Sequence, residues 1–338
     1  MHKIKKSTII SIGIVLIAAL IAPLVLGPKN NYYMNILISF CYFGIIAASL
    51  NLLLGYSGQI SLGHSAFMAI GAYAYAILNK TFQWHFIFAA IGAIAITFLC
   101  GLLIGLACGK LNAIFLAMAT AGFAKAVTLI ITNEGWLTGG ANGFTGIPKL
   151  QIFGHRLTNF QLYYVALALT LIVFLICYRI VYSKTGRAFQ ALKTSPIAAA
   201  AMGVDVQRYR LLVCGISAAM AGLAGCIYAV NLNYLSADMF NKTSVKILTM
   251  SVAGGLGNLA GPAIGAVVMG ALPELLRGFS SHLDGVYGAL LIFIVIVMPD
   301  GFAGGMNHLK YYIKSKLFGK KLSVSTSGGS SNIDGKED

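Results

Sequence analysis

Long apolar runs separated by short polar intervals set the pattern of this chain. A bilayer core about 30 Å thick is crossed by about 20 apolar residues in helical form. Runs of that kind predict spans near residues 7–27, 33–54, 57–78, 84–108 and 112–132, and again near 162–182, 211–233, 245–257, 262–279 and 286–300. The expected fold is all-α: a polytopic integral membrane helix bundle over residues 1–310, with about ten transmembrane helices, some broken by glycine. The stretch 311–338 ends in a Ser/Gly-rich segment without apolar residues and is expected to be a largely disordered tail. The first run shows no clear A-x-A cleavage site and exceeds a signal-peptide core, so it reads as a retained helix. Gly215, Ala218, Ala219, Gly222 and Gly225 recur at helical spacing. Small faces of this kind let helices approach closely where lipid removes the hydrophobic drive.

Composition narrows the function classes. Of 338 residues, 58% are hydrophobic and 10% charged, against about 25% charged in soluble domains. Mean hydropathy is +0.82. A soluble enzyme is excluded because too few charges exist to make its surface. The net charge of +15 sits in clusters beside apolar runs, which suits topology signals and anionic lipid headgroups. No basic globular domain is present to bind nucleic acid. Lys3, Lys5 and Lys6, then Lys184, Arg187, Lys193, Arg208 and Arg210, then Lys310, Lys314, Lys316, Lys320 and Lys321 mark three regions expected on the cytoplasmic side. Both termini are then inside, and the 133–161 loop is outside. The six cysteines lie in apolar segments without C-x-x-C or zinc spacing, so neither metal nor cofactor is expected.

Three segments carry more than packing. In Leu50–Phe67, Asn51, Ser57, Gln59, Ser61, His64 and Ser65 interrupt what should be membrane, and Gly55, Gly58 and Gly63 weaken the helix. A helix broken at membrane depth marks a permeation path, with Asn51, Gln59, His64 and Ser65 lining it. The plainer reading is a turn at 55–58 followed by an ordinary helix. In the outer loop, Gly140, Asn142 and Gly143 sit in a glycine-rich string that suits a gate, a contact for an external partner, or a plain loop. In the 183–210 loop, Ser195 is placed as an N-cap, Pro196 at the first helical position and Gly203 after the helix end. The short Ala-rich helix between them, including Ala199, reads as a docking element for a partner's groove or as a helix lying on lipid.

Lys125 falls near the middle of an apolar span, where a lysine costs about 2.5–3.5 kcal/mol on insertion scales. Glu274 lies in another span, and an ion pair between the two inside the bundle is one expectation; a water-facing or snorkelling Lys125 is the other.

Asn51–Ser65, Thr138–Pro148, Thr185–Val204, and Gly254–Pro262 with the Met298–Gly305 ending, taken in order, resemble the permease subunits of bacterial ABC importers for branched-chain amino acids, most closely the LivM type. The resemblance implies a heterodimer with a second permease subunit, two cytoplasmic ATPase subunits and an extracytoplasmic solute-binding protein, in the inner membrane of a bacterium. It implies that Gly186, Arg187, Ala188, Pro196, Ala199 and Gly203 belong to a coupling loop that takes the ATPase stroke. Related branches move urea, short amides or sugars. Lys125 departs from the acidic residue common at the corresponding place. An ion-coupled transporter is disfavoured by the scarcity of intramembrane acids. An intramembrane enzyme lacks its metal cluster or acid–nucleophile pair, and the absence of a G-x-x-x-x-G-K-[ST] string leaves no phosphate loop for ATP in this chain.

Overall fold

The computed structural model describes residues 19–24, 30–109, 111, 113–152 and 155–275, with single positions 285, 288, 289, 292 and 301 beyond them. The expected spans near 7–27 and 286–300 fall almost wholly outside these residues, and the tail wholly so.

The chain is a helical bundle. α1 (Asn31–Leu50) starts where the Asn30 side chain accepts from the Tyr32 amide, and it runs on into a π-helix over Asn51–Tyr56. α2 is His64–Lys80, α3 Phe86–Cys108, α4 Ala113–Asn133 and α5 Asn159–Val181. Two short helices follow, α6 (Lys184–Thr194) and α7 (Pro196–Ala201). The bundle then continues with α8 (Val206–Leu232), α9 (Ala237–Gly254) and α10 (Gly261–Leu275). Among the described residues, five helices are long and apolar enough to cross a membrane: Asn31–Tyr56, Phe86–Ala107, Ile114–Asn133, Asn159–Val181 and Val206–Leu232.

Two predicted spans are corrected. The one near 57–78 starts only at His64, because Gly58 has φ 72° and a left-handed residue cannot continue a right-handed helix. The one near 245–257 is the end of a longer helix that begins at Ala237; its first half carries Asp238, Asn241 and Lys242, which hide it from an apolar reading.

α8 is the central helix and packs on α1, α2 and α3. The small face expected on it is what makes this packing close. A Cβ at Gly71 of α2 would fall on the Gly222 backbone, and one at Gly225 on the Met68 carbonyl. Ile45, Ile46, Phe67, Met68, Ala218 and Ala221 fill the core. Ile91, Leu99 and Leu103 of α3 and Ile172 and Leu175 of α5 stand exposed on the periphery, as suits helices whose outer solvent is hydrocarbon.

The helices alternate between two ends. At one end, β1 (Phe144–Thr145) pairs antiparallel with a strand at Tyr234–Leu235, and β2 (Gln151–Ile152) pairs with β3 (His155–Arg156). Lys80 Nζ donates to the Thr145 carbonyl at 2.6 Å and sits 4.8 Å from the centre of the Phe144 ring. At the other end lie α6 and α7, and Arg210 Nη1 donates to the Gly109 carbonyl at 2.8 Å.

Candidate functional site

The break between α1 and α2 lies inside the bundle. The Leu62 amide donates to Thr120 Oγ1 at 3.0 Å, and Thr120 stands about 10 Å of helix rise above the start of α4. Ser57, Gln59, Ser61, His64 and Ser65 are all buried. Irregular backbone at this depth persists only where protein or a watery cavity covers it, and here most of the polar groups bond one another or nearby backbone. Ser57 Oγ donates to the Leu53 carbonyl at 2.6 Å, Gln59 Nε2 donates to Ser57 Oγ at 3.3 Å, and His64 Nδ1 pairs with Ser61 Oγ at 3.1 Å. Ser65 Oγ bonds Ser244 Oγ of α9. His64 Nε2 has no partner among the described residues.

Asn51 plays a different part from its expected neighbours. Its Nδ2 donates to the Asn258 carbonyl at 2.9 Å, and its Oδ1 accepts from the Gly257 amide at 2.8 Å. The amide thus imitates a backbone partner and clamps the first turn of the π-helix to the loop between α9 and α10. Gly55 lets the loop come this near, since a Cβ there would lie 2.5 Å from the Gly257 nitrogen.

The last carbonyls of a helix have no partner within it, and this π-helix ends at Tyr56. One of them, that of Gly55, accepts from Lys193 Nζ at 2.7 Å. Lys193 belongs to the last turn of α6, so a single ammonium ties this end helix to the π-helix. Gly58 makes room for the lysine: its absent Cβ would sit 3.2 Å from the Lys193 Cγ. In the sequence Lys193 reads only as a topology charge, and nothing in its spacing points to this bond.

α7 forms as its residues predict. Ser195 Oγ accepts from the Ala198 amide at 3.2 Å, Pro196 opens the helix, and Gly203 takes φ 83°. Ala199, expected in the docking element, is buried against the chain itself. Gly186 and Ala188 are buried too, and a Cβ at Gly186 would strike the Ile180 and Val181 carbonyls at the α5–α6 turn. Arg187 and Gly203 are exposed and Pro196 is half-buried. The surface α7 offers is Ile197 and Met202, each 85% exposed, with Ala198, Ala200 and Ala201.

Comparison with known proteins agrees with this architecture. The family model for the permease component of the branched-chain amino acid transport system matches residues 32–298. The chain belongs to that family. The high-affinity branched-chain amino acid transport system permease protein LivM of Salmonella typhimurium is 31% identical over 282 residues, 76% of this chain and 66% of the relative. LivM of Escherichia coli is 30% identical over the same length and shares. LivH of Salmonella typhimurium is 26% identical over 291 residues, 78% of this chain and 91% of the relative. The match thus spans just under two thirds of the length of the two LivM proteins. No solved structure matches.

The rest of the permease's expected site residues fall at two places. Gly140 (φ 57°), Asn142 and Gly143 (φ 77°) form a short 3-10 turn and its exit. Thr138 Oγ1 donates to the Ile131 carbonyl at 2.6 Å, and a Cβ at Gly143 would lie 2.7 Å from the Leu235 carbonyl. This loop is therefore pinned both to the end of α4 and to the α8–α9 junction, with Asn142 exposed at its surface. Lys125 is exposed on α4 of this chain. α4 packs on α2 and α9, whereas Glu274 lies near the end of α10, which packs on α1 and α9. Among the described residues no His, Cys, Asp and Glu cluster could hold a metal ion.

Proposed function

We propose that this permease is the LivM-type membrane subunit of an importer that brings branched-chain amino acids into the cytoplasm, powered by separate ATPase subunits. The relatives' transport of branched-chain amino acids supports the cargo. Similarity to both LivM and LivH proteins supports a heterodimer with a second permease subunit. The end that carries α6 and α7 holds Lys184, Arg187, Lys193, Arg208 and Arg210, and the positive-inside rule places it in the cytoplasm of a bacterial inner membrane, with both termini on that side. The pinned outer loop then faces a solute-binding protein through the exposed Asn142, with Gly140 and Gly143 shaping the turn that presents it.

The observation that carries a separate motor is the pair Ile197 and Met202. Two large apolar side chains almost fully exposed on a polar end of the molecule form a surface that a partner covers. α7 lies in a groove of an ATPase subunit, and its movement reaches the broken helix through Lys193 and the Gly55 carbonyl. The path runs along the break, with Gln59, His64 and Ser65 beside it, while Asn51 holds its backbone in place.

Uptake of radiolabelled leucine by a strain lacking this permease and all redundant systems, with and without the chain restored, tests the cargo. Restored leucine uptake is the expected result; restored uptake of urea or a sugar instead reassigns the cargo within the family. Ile197→Asp with Met202→Asp is expected to cut co-purification of the ATPase subunits by about tenfold or more, the loss of about 1.4 kcal/mol of binding or beyond, with the amount of permease in the membrane unchanged. Undiminished co-purification overturns the docking role of α7.

A further inference from the structure

Lys125 is a cation at the wrong depth for any role in topology. It stands about 16 Å of helix rise from Ile114 and about 12 Å from Asn133, the two ends of an apolar span. A lysine stem reaches neither headgroup layer from there, so snorkelling does not account for it. It is exposed on α4, yet a charge at this depth does not face hydrocarbon and belongs beside water, protein or a ligand.

Its surroundings are polar without being acidic. Lys125, Thr128 and Thr132 recur along one edge of α4. Thr128 Oγ1 bonds Asn241 Oδ1 of α9 at 3.1 Å. The two helices are antiparallel neighbours, so Lys125, three residues before Thr128, and Ser244, three residues after Asn241, share a depth. Ser244 is bonded to Ser65, at the start of α2 where the break ends. The edge of the broken helix and Lys125 thus border one polar strip. There is also room beside the lysine: Gly122, one turn below, has nothing within 4 Å of where a Cβ would stand. Among the described side chains no carboxylate pairs with Lys125.

We propose that Lys125 is a cargo site: its ammonium receives the carboxylate of the translocating amino acid as the cargo passes the strip formed by Ser65, Thr128, Asn241 and Ser244. The proposal rests on the amino-acid importer reading and adds the group that recognises the cargo's charged end. It explains why a cation is kept at this depth with no carboxylate beside it among the described side chains, since a zwitterion brings its own.

The complete transporter, with its partner permease, ATPases and binding protein, is reconstituted in liposomes. Lys125→Gln and Lys125→Arg are compared with the unaltered chain for leucine uptake and for ATP hydrolysis stimulated by loaded binding protein. Expected is a fall in leucine uptake of about tenfold for Lys125→Gln, the scale of one charge-assisted hydrogen bond, with ATP hydrolysis and subunit stoichiometry retained and uptake largely kept by Lys125→Arg. A second variant, Lys125→Cys in a background whose native cysteines are replaced by alanine, is treated with thiol reagents. An aminoethyl reagent, which restores a cation, is expected to recover uptake; a sulfonatoethyl reagent, which adds an anion, is not. Unaltered uptake in Lys125→Gln, or a cysteine that no aqueous reagent reaches, overturns the proposal. Loss of the partner permease from purified Lys125→Gln overturns it as well and makes the lysine an inter-subunit ion-pair partner. If the unaltered transporter moves no amino acid at all, the importer reading fails instead, whatever Lys125 does.

Discussion

Gly222→Leu is expected to leave almost no folded permease in the membrane. A Cβ at this position lies 2.5 Å from Thr97 Oγ1 and 2.7 Å from Thr97 Cβ on α3. On the opposite side, Gly71 of α2 leaves just enough room for the Gly222 backbone. Overpacking in a close-packed core costs about 1–3 kcal/mol where side chains can shift. Here the central helix is held between two neighbours, one of which meets it backbone to backbone, so relief requires α2, α3 and α8 to separate. Bundles have about 5–15 kcal/mol in total to lose, and three helix contacts open together. Size-exclusion chromatography of detergent-extracted protein carrying a fluorescent tag gives the yield of monodisperse permease. Gly135→Ala is the control, since nothing lies within 4 Å of its Cβ position, and its yield is expected to match the unaltered chain. A normal yield for Gly222→Leu would mean that the α2–α8 contact is looser than the structure has it.

The second large effect is expected from Lys193→Met. The substitution keeps the aliphatic stem that packs on Gly58 and removes the ammonium that donates to the Gly55 carbonyl at 2.7 Å. Because the bond is partly exposed, its loss costs little stability, and permease yield is expected to stay within a few tenths of normal. If the chain is the membrane subunit proposed above, its worth is in transmission. Coupling free energies between sites of about 1–3 kcal/mol correspond to about 5–150-fold effects, so uptake per ATP hydrolysed is expected to fall about fivefold or more while stimulated hydrolysis continues. Asn51→Leu removes the other tie on the same π-helix, to Gly257 and Asn258. If both ties act on one two-state element, the double variant loses less than the sum of the singles. Additive losses would place Lys193 and Asn51 on separate routes. Uptake per ATP at the normal value in Lys193→Met would remove α6 from the coupling route.

Local chemistry was readable wherever it depends on neighbours along the chain. The N-cap at Ser195, the proline after it and the left-handed Gly203 all appear where residue types alone put them. The break in Leu50–Phe67 was also visible, because clustered polar groups and glycines in an apolar run have few local explanations. The burial of Ala199 is not legible because an Ala-rich hexamer shows no amphipathic pattern to say which side turns inward; α6 and α8 make that choice. The start of α9 is not legible because Asp238, Asn241 and Lys242 in its first turns look the same in sequence as the polar residues of a loop.

The sequence by itself determined that this is a helical membrane bundle of the branched-chain amino acid permease family, where its helices cap and break, and which runs of small residues pack. Those properties depend on hydrophobic length, backbone preference and side-chain size, each carried by a few adjacent residues. Only the tertiary structure decided that Asn51 clamps a loop more than two hundred positions away, that Lys193 reaches the Gly55 carbonyl, and that Lys125 stands exposed on a polar strip. A hydrogen bond between distant segments is set by where whole helices pack, and the packing of α8 against α2 and α3 is a sum over many weak contacts that no single motif encodes.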